Sequence, residues 1–411
     1  MGAGAAEVGS EYGDDLKVTL VSVFIVTCNV LPIALLGALS NPMGEELGFG
    51  EASFGLMVSM FFVLSAVFSL TMGRTIERWG PTFSMRVSAA SGAIGMLVIV
   101  LVGDSWAIVA VGLLITAFGM AVGTPAANLA LVRRVRAGRR GLAFGVKQAS
   151  APGGSLLAGL AVTLIAVRFG WRAAIVFGIL ITLVGVFLIP DVDGPSRRPI
   201  DHVPGRRRPE MPSVRMRSWP RTIRTAGVGF AFSNVGASSL SVFVVPTIVA
   251  AGIDIATAGT ILAIGSAAGI LARVFVGWRA DSRVGGHLRV VAMMVATGAF
   301  GYGLLAIGVS APVLTIGTVL GFAAGWGWNG LFALAIVEEN PSAPAVATGQ
   351  VQVGGLAGSA VGPLVFGWLA EFFGFIAAWG MTLGTAAVGA LLMAWAQRLV
   401  IRQADEEHDA A

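Results

Sequence analysis

Charge is scarce in this chain of 411 residues: Asp, Glu, Lys and Arg together make up 12% of it. A soluble globular chain carries roughly 25%, so a water-facing surface of this size could not be kept wet and a soluble fold is excluded. Cysteine is scarcer still. Cys28 stands alone and lies inside an apolar run, which excludes an intramolecular disulfide and a cysteine-based metal site. The histidines, His202, His287 and His408, fall in polar segments, so no imidazole relay crosses an apolar run. The lysines are Lys17 and Lys147, followed by Val18 and Gln148. A P-loop requires Gly-Lys-Ser/Thr to hold phosphates, and none is present. Without a nucleophile–base pair or metal ligands inside the apolar runs, the chain is not expected to be an enzyme. It is expected to use no catalytic residue, no metal and no cofactor.

What is present is apolar: 56% of the residues are hydrophobic and the mean hydropathy is +0.84. Setting aside the polar stretches leaves about 350 residues, or twelve units of roughly 29, each long enough for a span of ~20 apolar residues plus a loop. The spans are placed near 18–39, 52–72, 83–102, 106–132, 141–167, 171–190, 222–249, 255–277, 287–308, 311–337, 345–370 and 375–398. The first is too long for a signal peptide and follows Glu7, Glu11, Asp14 and Asp15 rather than a positive stretch, so it is read as retained. The expected architecture is an all-α membrane protein of twelve transmembrane helices. It comprises a tail (1–17), a six-helix bundle (18–190), a basic linker (191–221), a second six-helix bundle (222–398) and a tail (399–411).

Arginine placement orients the chain. Outer loops hold only Arg168 and Arg172, Arg273 lies within a span, and the other arginines sit at inner ends. By the positive-inside rule both termini are cytoplasmic in a multi-pass protein of the cell membrane. One inner loop departs from this pattern, carrying Glu338 and Glu339 and no arginine. The formal net charge of +5 is concentrated in the Pro-rich linker, with Arg197, Arg198, Arg206, Arg207, Arg208, Arg215 and Arg217. It is read as a segment held near anionic headgroups, not as a nucleic-acid site.

The chain is also a tandem repeat. Ala90-Ser91-Gly92-Ala93-Ile94-Gly95 returns as Ala296-Thr297-Gly298-Ala299-Phe300-Gly301, and Phe169-Gly170 returns as Phe373-Gly374. Gly119 and Gly123 return as Gly321 and Gly325, and Gly145 and Gln148 as Gly349 and Gln352, at a nearly constant offset. Parallel six-span halves with a site near the midplane are a transporter architecture.

Between spans 2 and 3 the chain reads Gly73-Arg74-Thr75-Ile76-Glu77-Arg78-Trp79-Gly80, and between spans 8 and 9 Gly277-Trp278-Arg279-Ala280-Asp281-Ser282-Arg283. Paired at the repeat offset on the inner side, these segments resemble the inner-loop signature of the major facilitator superfamily, and the resemblance extends over essentially the whole chain. It implies that Gly73, Glu77, Arg78, Gly80, Gly277, Asp281 and Arg283 form inner gates, with Glu77 and Asp281 latching neighbouring helix ends. The first copy has Glu where the family usually has Asp. Gly354, Gly358 and Gly362 in span 11 are spaced for close helix approach. Gly325-Trp326-Gly327-Trp328-Asn329-Gly330 matches a nucleotide-binding pattern, but it lies inside an apolar span with no strand before it.

Polar groups within spans are the candidate substrate contacts, since burying them without partners is costly. They are Asn29, Asn128, Lys147, Gln148, Asn234, Arg273, Asn329 and Gln352. Each amide is equally accounted for by an interhelical hydrogen bond, and both cations by snorkelling to headgroups. Two cations with no acidic residue deep in a span favour an anion. Gly269-Ile270-Leu271-Ala272-Arg273 is similar to a carboxylate-binding segment of monocarboxylate carriers, although those have Asp where this chain has Gly269. Lys147-Gln148-Ala149-Ser150 resembles cyanate- and nitroimidazole-porter-like members. The expected function is alternating-access transport of a small organic anion, by a monomer, with protons or a counter-anion as co-substrate. The alternative is efflux of lipophilic compounds, with Trp326 and Trp328 lining the path.

Overall fold

The structure, a computed structural model, describes residues 2–136, 139–193, 219–280, 285–340 and 343–410. Among these there is no β-strand. Ten helical stretches are long and apolar enough to cross a membrane. Two of them, Leu142–Phe187 with 46 residues and Val346–Gln403 with 58, are about twice a single span. Each is interrupted by a glycine: Gly170 at φ 81°, ψ 167° and Gly374 at φ 81°, ψ 166°. The count of spans is thus twelve, as the sequence implies.

These two glycines are repeat mates, and the repeat is legible in their torsions. At that φ and ψ a Cβ is strained in any L-residue. The chain therefore reverses between adjacent spans at the same place in each half.

The helices are α1 (Gly2–Leu47), α2 (Glu51–Trp79), α3 (Pro81–Val102), α4 (Trp106–Arg134), α5 (140–169), α6 (171–188), α7 (Arg221–Ala250), α8 (Ile255–Ala280), α9 (His287–Ile307), α10 (Ala311–Glu338), α11 (344–373) and α12 (375–410). Boundaries agree with the hydropathy reading except at the ends. The N-terminal segment is continuous with α1, and the C-terminal segment is continuous with α12. Two spans are broken internally. In α5, Arg140–Gln148 gives way at Ala149 to a second helix, Ser150–Ala161; Pro152 has no N–H to offer the Gln148 carbonyl, so the break falls there. In α10, a wide-turn segment Gly321–Gly325 and an irregular stretch at 326–328 precede a new helix, Asn329–Glu338.

The described chain divides into two compact units, residues 1–48 with 60–206 and residues 49–59 with 207–411. In the first, an aliphatic core of Val18, Ile25, Met85, Val122 and Leu131 joins α1, α3 and α4. At one end Asp15, which the sequence places in a polar tail, is 4% exposed and accepts a 2.7 Å hydrogen bond from Arg136 Nε. In the second unit Gly354, Gly358 and Gly362 lie along α7. A Cβ on them would come within 2.0 Å of the Gly227 carbonyl oxygen, 2.2 Å of that of Ala231 and 2.7 Å of that of Val235. The small-residue spacing thus produces close backbone packing, which is a source of helix association in lipid. Residues 49–59 group with this unit, where Gly55 and Gly367 permit a similar approach.

Replacing Gly170 or Gly374 by Ala is expected to destabilise the protein by about 1–3 kcal/mol. Gly380→Ala, at a position where an added Cβ meets nothing within 4 Å, is expected to be neutral or stabilising. Thermal unfolding of the three variants in detergent measures the contrast, and equal effects at all three positions would remove the argument from torsion.

Candidate functional site

In the first unit Lys147 occupies the last turn of the short helix that begins α5. It is 6% exposed, and its Nζ donates to Asn128 Oδ1 of α4 at 2.6 Å, with the Phe144 ring 5.5 Å away. Its ammonium is therefore enclosed by protein instead of reaching for headgroups. Asn128 is neutral, so the charge is solvated but not cancelled. Gln148 beside it is half-buried. Asn29 is tied into its own bundle: Ser88 Oγ lies 2.7 Å from Asn29 Oδ1 and 2.7 Å from the Gly119 carbonyl. A Cβ at Gly123 would approach Asn29 Nδ2 to 2.4 Å and Ser88 Oγ to 2.1 Å, so that glycine makes room for the polar pair.

In the second unit Asn234, the repeat mate of Asn29, donates to the Gly355 carbonyl at 2.8 Å and to Ser359 Oγ at 2.6 Å. Interhelical bonding accounts for this side chain. Gln352 is exposed, and Asn329 begins the second half of α10 with its Oδ1 buried and, among the described residues, without a donor.

Arg273 is different in kind. It is 7% exposed, its Nη2 donates to the Trp326 carbonyl at 2.7 Å, and its guanidinium carbon lies 5.0 Å from the Trp326 ring centre. Its Nε and Nη1 are buried and find no acceptor among the described residues. A guanidinium has five N–H donors, so most of this one's capacity is unused.

The acceptor it does find comes from the break in α10. In a continuous helix the Trp326 carbonyl would be engaged by its own helix; in the irregular stretch it is free to turn to Arg273. The helix restarting at Asn329 presents its positive N-terminal end close by in sequence. Ser266, two turns before Arg273 on the same helix face, also has a buried hydroxyl without a partner among the described residues. The Gly-Trp-Gly-Trp pattern dismissed as a nucleotide site thus marks a broken helix. Clustering of Gly321, Gly325 and Gly327 within a span is the signal for it. Trp328, considered as a cavity lining, is fully buried against Phe230 and Phe332 and donates its indole N–H to the Gly325 carbonyl. It is core.

At the α2–α3 loop of the first unit Gly73, Glu77 and Arg78 are exposed. The helix-end contact of that loop is made by other residues. Gly80, at φ 78°, leads into α3, whose first turn is capped by Asp193: the Thr82 amide donates to its Oδ1 at 3.1 Å, while Thr82 Oγ1 donates to Asp191 at 3.3 Å. Carboxylates at a helix N-terminus are favourably placed, and these two lie too far along the chain for the motif to indicate them. In the second unit Gly277 is exposed; Asp281 and Arg283 lie outside the described residues, as does most of the basic linker (194–218). His287, expected in a polar segment, is instead 2% exposed at the start of α9, with its Nε2 3.1 Å from Glu338 Oε2. The acidic end of α10 therefore faces an imidazole. Burial, with the adjacent Glu338 charge, holds the Glu339 carboxyl above its ordinary range.

The sequence profile described as Major Facilitator Superfamily matches residues 22–346. No curated protein matches the sequence. Among solved structures, an inward-facing, unoccupied bacterial homologue of the human lysosomal transporter Spinster is similar at a TM-score of 0.73 and 16% identity, over 94% of this chain and 98% of that one. The human organic anion transporter MFSD10 (TETRAN) is similar at 0.65 and 17%, over 92% and 99%. The nucleoside transporter NupG is similar at 0.70 and 15%, over 93% and 99%.

Asn128→Leu, which leaves the Lys147 ammonium buried without its acceptor, is expected to cost about 1–3 kcal/mol of stability. Adding Lys147→Met should recover most of that loss, because two apolar groups of similar shape can replace a buried polar pair. A double-mutant cycle by chemical unfolding measures the coupling; additive losses would show that the two groups do not depend on each other.

Proposed function

Because the chain belongs to the major facilitator superfamily, we propose that it is a secondary transporter that carries a small organic anion and that Arg273 is the main anion contact. The observation that carries this reading is the buried guanidinium whose Nε and Nη1 have no acceptor among the described residues. A buried cation in low dielectric is costly unless something compensates it. A carboxylate meets that need with charge-assisted hydrogen bonds and suits a planar guanidinium. The fold alone does not select a substrate, since transporters described for nucleosides and for organic anions share it.

Lys147 adds to the positive potential because its partner, Asn128, leaves the charge in place. No Asp or Glu lies deep in a span to serve as a proton carrier. Coupling is therefore by a proton that travels with the anion or by exchange for a second anion. The arginine-rich ends of the spans face the cytoplasm of a cell in whose membrane the protein works as a monomer. Glu77 and Asp281 act with Gly73, Arg78, Gly80, Gly277 and Arg283 at the inner gates; Gln148 in the first unit, and Gln352 and Asn329 in the second, are further polar contacts offered to the substrate.

Reconstituted in liposomes, the protein should take up a labelled small monocarboxylate. Arg273→Gln is expected to lower uptake by about tenfold or more, the effect of losing a charged hydrogen bond, and Lys147→Gln by less. Uptake that is unchanged in both variants would refute the anion reading. Extrusion of lipophilic compounds that survives Lys147→Gln would assign the protein to efflux instead.

A further inference from the structure

Arg273 reaches the Trp326 carbonyl only because α10 is broken, and α9 packs directly on that break. A Cβ at Gly298 of α9 would run into the Cα of Gly325, and one at Gly301 would lie 2.9 Å from the Gly321 amide nitrogen. Tyr302 of α9 extends this contact. It is 0% exposed, and its ring stacks on Trp379 of α12 with centres 5.8 Å apart. Trp379 is tied to α7 in turn, donating its indole N–H to Thr247 Oγ1 at 2.9 Å. The tyrosine ring is thereby backed by two helices.

Its other side meets glycines. A Cβ at Gly325 would lie 2.5 Å from Tyr302 Oη and 2.9 Å from Cζ, and one at Gly321 would lie 3.4 Å from Cε1. At Gly236 of α7 the nearest atoms to an added Cβ all belong to Tyr302: Cε2 at 2.5 Å, Cζ at 3.0 Å and Oη at 3.1 Å. The side chain thus fills a slot left by glycines of α7 and α10, with its hydroxyl against Gly325. That hydroxyl is buried and has no partner among the described residues. Phenylalanine would fill the slot without the cost of an unpaired hydroxyl. Packing alone therefore does not account for tyrosine here. Gly325 is bonded to Trp326, whose carbonyl accepts from Arg273 Nη2 at 2.7 Å. A shift of Gly325 moves the acceptor that orients the guanidinium, and a recognition group is precise only where its neighbours are locked by packing.

We propose that Tyr302 is a positioning residue for the anion site: seated against Gly325, it fixes the break in α10 and so the direction in which Arg273 presents its unused donors. The inference rests on the reading of Arg273 as the anion contact. Tyr302 itself touches no anion. It acts through the backbone of α10, and Gly236 acts on the site through Tyr302.

The test is isothermal titration of the full-length protein in detergent with propionate and with propionamide, alongside thermal unfolding without either. The native protein should prefer propionate, and Arg273→Gln should lose that preference. Tyr302→Phe should melt no lower than the native protein, because it discards a hydroxyl without a partner. Its preference for propionate should nevertheless fall about fivefold, less than the roughly tenfold of one charge-assisted contact. Gly236→Ala, which presses on Tyr302 from α7, should lower the preference as well; if that variant does not fold, Tyr302→Phe decides the matter. A preference lost in Arg273→Gln but unchanged in Tyr302→Phe would overturn the proposal and leave the anion reading standing. So would a Tyr302→Phe variant that melts lower and loses affinity equally for acid and amide, the pattern of a residue that only stabilises the fold. A native protein without the preference would overturn the anion reading and this proposal with it.

Discussion

In a hydrocarbon interior a polar group that gives up water has to find its partner within the protein, and much of this chain's internal architecture follows from that condition. Most of the polar side chains within the spans meet it in pairs. Lys147 holds Asn128, Ser88 lies against Asn29 Oδ1, although Asn29 Nδ2 finds no partner among the described residues, and Asn234 reaches Ser359. Arg273 meets it only in part, and at the expense of a neighbouring helix. The carbonyl it engages, that of Trp326, is available because α10 does not run straight through. Once the helix is broken, the positive N-terminal end of its second half lies close in sequence to the carbonyl that Arg273 engages.

The two halves stop resembling each other at their buried cations. Gly170 and Gly374 keep identical φ across the repeat, and the loop geometry is retained with them. The cations are not retained. At the same offset Lys147 corresponds to Val351 and Arg273 to Ser69, so each half contributes one charge at a place where the other has a neutral residue. The repeat supplies a symmetric frame, and within it each unit has one buried cation that its counterpart lacks.

The spans and their number could be read directly from the sequence, because hydropathy acts over twenty residues at a time and tolerates local error. The reversals at Gly170 and Gly374 were signalled by the repeat. Other features depended on details that pattern cannot convey. The position of Asp15 at the start of α1 suggested a solvated tail, yet a pairing with Arg136 across more than a hundred residues buries it. The burial of His287 escaped the sequence for the same reason, since Glu338 lies on another helix. Among the amides, the sequence offered Asn29 and Asn234 as substrate contacts or, equally, as interhelical hydrogen bonds, and both are buried. It could not distinguish a side chain satisfied by its own bundle from one with capacity left over. That distinction separates Asn234 from Arg273, and it is set by three-dimensional neighbours.

In the proposed transport function the unused donors of Arg273 select a negative charge. Isothermal titration of the purified protein with a small monocarboxylate and with its uncharged primary amide tests this most directly. The carboxylate is predicted to bind at least about tenfold more tightly, the scale of one charge-assisted contact, and Arg273→Gln should remove the preference. Equal affinity for acid and amide in the native protein, or a preference that persists in Arg273→Gln, would contradict the claim.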